Sequence, residues 1–539
     1  MMPIHDFLGR MARGLGLSAL ALAAMLCPGC GDDSSSGGDA GTDTDTDTDT
    51  DTDTDADGGA DAGEDYSAQI LWAKRSGAEH SEVSFDVAAL SDDSVVMTGW
   101  FEYDTIFGDG EATEATVDSE ANGGMDMYLA RYAPDGAFQW VKHQSVGTGW
   151  RLAALPGDDF AVVGVYAGSS FVLGEGEANE TELTDTSYMD TNLFVAVFHP
   201  DGSLVWAKSI VTNLSDYPDG IAVGPDGALY IVGYFNETAL FGAGEANETE
   251  LVATGESYDG FVAKYSAAGA FLWAKPITGE DHEYVAGIAP APDGTMWVVG
   301  SFAGSALLGA GEANETLLDS AGDRDVFIAK YGEGGALQLA VRAGGTSEEG
   351  MLDVAASADG SAIVAGHMEG VCTFGEGEEN ETELTSYGAA DLFLAKYEAD
   401  GTVAWAMAIG GAGDDWPKAL TASADGSTVL VGAFADSVIL GDSPYGPVEL
   451  TSASGDGIFA AKYDATGAVV WATEMEIEPH GYDYMGAVSG SDASTYVCGS
   501  FTNTCTIGVG DPGEISMTAD SGEFPPPTGS DRLLVKIAP

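Results

Sequence analysis

Residues 260–275 read GFVAKYSAAGAFLWAK, two apolar runs joined by a turn of small residues. Short β-prone runs around a Gly-containing turn predict a hairpin. Close copies begin at Met127 (MYLARYAPDGAFQWVK), Leu193 (LFVAVFHPDGSLVWAK), Val326 (VFIAKYGEGGALQLAV), Leu392 (LFLAKYEADGTVAWAM) and Ile458 (IFAAKYDATGAVVWAT). A seventh copy is split. Its second half, QILWAK (69–74), opens the repeat region, and its first half, RLLVKI (532–537), lies at the far end. Measured at positions 71, 139, 205, 272, 338, 404 and 470, the copies recur every 66 to 68 residues. Trp occupies the next position in every copy except one, which has Leu339. Burying a large apolar side chain is worth roughly 1.5–3 kcal/mol, so the repeated Trp reads as a packing anchor.

A second hairpin recurs between these, clearest at 219–235 (DGIAVGPDGALYIVGYF). Pro presets φ in its turn and Gly accepts the positive φ that follows. Each repeat thus supplies four strands, the content of one propeller blade. The period exceeds the roughly 40–50 residues of familiar blades. The excess lies between the second and third strands, in segments such as ALFGAGEANETELVATGESYD (239–259). Its apolar flanks predict a further short hairpin with an acidic tip. A linear array would need polar end caps, whereas pairing 69–74 with 532–537 completes a seventh blade from both termini. The expected fold is all-β: a seven-bladed β-propeller of about 66-residue repeats over 66–539. It closes by pairing of the N- and C-terminal strands in the last blade.

The elements FVAKY, a Gly turn, LWAK and YIVGYF resemble the SBBP-type bacterial β-propeller repeat across nearly all of 66–539. The resemblance implies architecture; it brings no shared reaction and no catalytic residues.

Ahead of the repeats, residues 1–30 have the layout of an export signal. Arg10 and Arg13 precede an apolar run of 13 residues (14–26), short of the about 20 needed to span a bilayer. Cys30 follows Gly29, which resembles a bacterial lipoprotein signal with Cys30 lipidated. The implied address is an outer or cell-surface membrane lipoprotein, with release as a secreted protein the alternative. Residues 31–65, centred on TDTDTDTDTDTDTD, have no apolar face to offset the entropy of ordering and read as an acidic disordered linker. Its reach is about 120 Å at most.

Net charge is −70, from 18 Lys+Arg against 88 Asp+Glu. Nucleic-acid binding needs clustered basic side chains and is not expected. Cys498 and Cys505 flank GSFTNT and could bridge in an oxidising compartment. Strand order places the acidic insertions and the links between repeats on one rim, opposite the tight turns. The candidate rim residues are His80, His282, His480, Glu175, Glu177, Glu180, Glu182, Asp414 and Asp415. Their spacing lacks the Asp/Asn-plus-Gly order of a calcium loop and the paired-ligand spacing of a zinc site. No metal ligand set is assigned, and calcium is the one cofactor considered. No GxSxG, Walker loop or CxxC pair marks the repeats. The expected function is a monomeric, lipid-anchored, non-catalytic binding module for a protein, glycan or divalent cation. The alternatives are a hydrolase or lyase using rim His and carboxylates, and a purely structural envelope protein.

Overall fold

Short β-branched and aromatic runs, each stopped within eight or so residues by a Gly- or Asp-containing turn, leave the chain little choice but antiparallel sheets. The structure, a computed structural model, describes residues 67–539 except 79, 120–124, 169, 185–190, 214–215, 256, 424, 444–445, 479–484, 510–512 and 520–529. The segments expected from sequence to be a signal with Cys30 and an acidic linker, together with His480, lie outside the described residues.

Inner strands Glu82–Ala89, Gly147–Ala154, Tyr217–Val223, Glu283–Pro290, Glu349–Ala356, Trp416–Ala422 and Met485–Ser489 each head a four-stranded antiparallel unit, numbered 1 to 7. In unit 3, Tyr217–Val223, Leu229–Phe235, Asp259–Tyr265 and Phe271–Gly279 pair in that order. Unit 7 takes its fourth strand from the other end of the chain. Ile70–Ser76 pairs with Asp531–Ile537, Ala73 opposite Val535. Successive inner strands lie side by side, and that of unit 7 lies against that of unit 1. Apolar clusters fill the space between consecutive sheets; Val232 and Val262 of unit 3, for example, pack with Val298 and Phe327 of unit 4.

The insertion forms the expected hairpin, but it does not project from a rim. Thr238–Phe241 pairs with Thr249–Val252, and the hairpin then pairs with the outer strand of the preceding unit, Val211 opposite Leu240. The same backward pairing joins units 3 and 4, 4 and 5, and 6 and 7. It covers a strand edge that would otherwise be open. The acidic tip becomes a clasp. Glu245 accepts hydrogen bonds from Lys208 Nζ of unit 2 and from the Phe271 amide, both at 2.9 Å. Lys74–Glu111, Lys142–Glu177 and Lys275–Glu312 repeat the ion pair. These pairs are partly exposed and worth little singly; the amide bonded to a carboxylate, about 1.5–3 kcal/mol, is the stronger half. In these four units the crown of rim carboxylates expected from sequence is therefore not formed, because the tip folds down the flank to meet a lysine and an amide; in unit 5 Glu378 meets the Val403 amide alone among the described residues.

The repeated Trp joins neighbours rather than filling a sheet's own core. Trp206 donates its indole N–H to Ala267 O at 3.1 Å. Its ring covers Gly269, where φ is +81° and a Cβ would lie 2.7 Å from the ring. Trp72 and Trp140 bond Pro134 and Pro200 in the same way. Leu339 covers Gly401 in the copy without Trp.

Cys498 and Cys505 are free, buried thiols. Strand alternation turns Cys498 toward Val87 and Met97 and leaves Cys505 among Val497 and Ile507, so the disulfide considered from sequence is not made.

Candidate functional site

Each inner strand ends in a tight turn on one face of the assembly and begins after an inter-unit link on the other. We call these the turn face and the link face. On the link face, units 3 and 4 build an aromatic cleft around the predicted His282. Its ring lies 5.6 Å from both Tyr284 and Tyr258, and its Nδ1 faces the Tyr258 amide at 3.3 Å. Tyr234 meets Tyr284 edge-on at 4.8 Å. The Arg324 guanidinium sits 5.2 Å above Tyr284 and pairs with Glu348 at 3.1 Å. Tyr234, Tyr258, His282, Tyr284 and Arg324 are all half-buried.

The other predicted residues do not join this cleft. His80 packs at a tilt against Tyr103, ring centroids 4.2 Å apart, in the link leading into unit 1. Glu175, Glu180 and Glu182 are exposed on the flank, where Glu180 accepts the Gly176 amide and Glu182 the Ser170 hydroxyl. Glu177 belongs to the clasp, accepting the Leu204 amide at 2.6 Å. Asp414 is exposed, whereas Asp415 is fully buried and accepts the Gly411 and Ala435 amides. Among the described residues no three His, Cys, Asp or Glu side chains are grouped to hold a metal ion.

Beneath the link face, buried acids of adjacent units face one another. Burial, reinforced by the neighbouring Asp259, pushes Glu283 up to about 9. Burial beside Asp325 raises Glu349 to about 8, and burial beside Asp391 raises Asp415 to about 7. A carboxyl with its folded pKa raised keeps a proton that the unfolded chain releases, so stability falls as pH rises from its ordinary value to its folded one. For Glu283 that window runs from 4.5 to about 9. The thermal midpoint should therefore decline between pH 5 and pH 9, and Glu283→Gln, which mimics the protonated acid, should flatten the decline. An identical slope in the variant would refute the assignment.

Along the axis, all seven inner strands line a cavity of about 220 Å³. Asp86, Arg151, Asp219, Asp353 and Lys418 enter it. They come from five different units, at or next to a bulge in each strand, as between Ser84 and Asp86 or Met351 and Asp353. A bulge re-aims the side chain beside it. The Arg151 guanidinium donates to the backbone oxygens of Asp219 and Trp150, at 2.9 and 3.0 Å. Asp86 accepts the Leu152 and Val87 amides, and Asp353 the Val354 amide. Burial raises Asp86 to about 6 and both Asp219 and Asp353 to about 7, with Arg151 opposing each shift. Sequence reading missed this cluster. Its signal was an ionisable residue in an otherwise apolar inner strand (SFDVAAL, GWRLAAL, MLDVAAS), recurring at one repeat position.

No family model matches the chain. A curated relative, an uncharacterized WD repeat-containing protein of Acanthamoeba polyphaga mimivirus, is 21% identical over 426 residues. The match covers 69% of this chain and 31% of the relative, so the chain spans about a third of that protein's length. Structural neighbours include the Dos1 propeller (TM-score 0.38, 9% identity, 87% of this chain and 95% of that one). A europium-containing methanol dehydrogenase has a TM-score of 0.36 at 12% identity, covering 87% and 93%. The fold stands on the strand pairing itself.

Proposed function

We propose that the seven units are the blades of one closed β-propeller, exported, tethered through lipidated Cys30 and the acidic linker, and used as a non-catalytic binding module for a protein. The pairing of Ile70–Ser76 with Asp531–Ile537 and the contact of the first and last inner strands support closure. The observation that carries the binding reading is the link-face cleft of Tyr234, Tyr258, His282, Tyr284 and Arg324. Tyrosine and arginine, half-exposed and packed into rigid positions, are the residues that dominate protein interfaces. A propeller supplies that rigidity: Tyr234 and Tyr284 sit on strands, Arg324 directly precedes one and is held by a bridge to Glu348, and Tyr258 and His282 sit on loops.

The test is capture from an envelope fraction by the immobilised full chain, comparing the native protein with the Tyr258→Ala, Tyr284→Ala double variant. A partner retained by the native chain and lost from the variant is expected. Equal retention would move recognition off this cleft.

A further inference from the structure

We propose that the axial channel is a second binding site, open at the turn face, that takes one cationic side chain, lysine or arginine, from a protein partner. Its mouth is on the face opposite the aromatic cleft, while Asp219, deeper in the channel, lies close enough to Tyr234 and Tyr284 to act on them electrostatically.

Three observations converge. The first is size. Pockets that enclose a whole small-molecule ligand measure roughly 300–1,000 Å³, and the channel, at about 220 Å³, holds a side chain but not a larger ligand. The second is shape. At the turn face a second, wider and shallower cavity of about 680 Å³ shares Ala89 and Ala154 with the channel and forms its mouth, walled by Leu90, Leu155, Pro156, Pro225, Pro290 and Pro292. That mouth is apolar and fits the backbone and flanking residues of a segment whose central side chain points down the axis. Proline-walled turns also cost the partner little, because they are already fixed in conformation.

The third is charge. Asp86, Asp219 and Asp353 face Arg151 and Lys418, which leaves one negative charge unbalanced once all three carboxyls are ionised, above the value of about 7 to which burial raises Asp219 and Asp353. Arg151 spends its hydrogen bonds on backbone oxygens. Asp86 and Asp353 each accept a backbone amide, whereas the Asp219 carboxylate accepts no hydrogen bond among the described residues. An ammonium or guanidinium entering beside Asp219 would supply the missing donor and the missing positive charge together, a charge-assisted contact of the stronger kind. The protein's net charge of −70 would also draw a basic segment toward it at long range.

The experiment titrates the full chain with the tripeptide acetyl-Gly-Arg-Gly-amide by calorimetry at 0.15 M salt, with the citrulline analogue as control. Citrulline keeps the shape and loses the charge. Saturable binding of the arginine peptide, with the citrulline peptide at least tenfold weaker, is expected. Asp219→Asn should weaken the arginine peptide by roughly tenfold or more, the loss of one charged hydrogen bond. Ala286→Phe, which puts a ring into the channel wall, should abolish binding while the far-UV spectrum and thermal midpoint report that the ring is intact. Equal binding of the two peptides, or an arginine affinity unchanged in both variants, would overturn the proposal by assigning any attraction to the acidic surface at large.

Discussion

Removing residues 67–78 will abolish the cooperative thermal transition of residues 79–539. Those residues carry the strand Ile70–Ser76, which pairs with Asp531–Ile537 and completes unit 7. Without it, the fully buried Leu533, Val535 and Ile537 lose the strand beside them, and an open backbone edge is exposed. The junction to unit 1 loses the Trp72 bond to Pro134 and the Lys74–Glu111 clasp. The buried Asp531 loses Arg75, its partner at 2.8 Å. Losing the strand pairing, the apolar cover and this ion pair together removes a large share of the roughly 5–15 kcal/mol that holds a typical fold. Circular dichroism melts and size-exclusion chromatography should show a broad, early transition with edge-to-edge association. A sharp melt within a few degrees of the native midpoint would show that the terminal strand is dispensable.

The largest point effect should come from Arg532→Ala. Arg532 is wholly buried, with its guanidinium 4.0 Å from the Phe107 ring centroid and 4.8 Å from that of Tyr128. It donates to Ser76 Oγ at 3.2 Å and Thr105 Oγ1 at 2.5 Å. It also lies close enough to Glu82 to oppose the upward shift that burial imposes on that carboxyl. Removing it leaves Glu82 with less compensation and opens a void between two rings, so a loss of about 3–5 kcal/mol is expected from urea unfolding. Arg532→Met should lose less, because it restores the packing and not the charge. A loss below about 1 kcal/mol in the alanine variant would mean that water reaches the site.

The architecture was legible because it is written several times over. The alternation of apolar runs and Gly turns sets each hairpin locally, and the split copy at 69–74 and 532–537 names its own partner. The backward docking of the insertions was not legible. Glu245 meets Lys208, 37 residues earlier, and nothing in GEANE says whether the hairpin will stand on a rim or lie down on a neighbour. That choice is made by the open edge of the preceding sheet, a tertiary fact. His282 was singled out for its place in a link, but its ring companions Tyr258 and Tyr284 were not, since their clustering depends on two units meeting. The channel failed for another reason. One charged residue per inner strand looks like ordinary variation until seven strands converge on an axis and Asp86, Arg151, Asp219, Asp353 and Lys418 share one cavity.

The clasp has a bearing on how such a chain could have grown. Each insertion is encoded within one repeat, while the edge that receives it belongs to the repeat before. A gene segment of about 66 codons therefore carries one plug and one socket. Tandem duplication would insert a copy whose plug fits the old socket and whose socket fits the old plug, with no matching mutation needed on either side. The junctions themselves are then indifferent to how many copies there are.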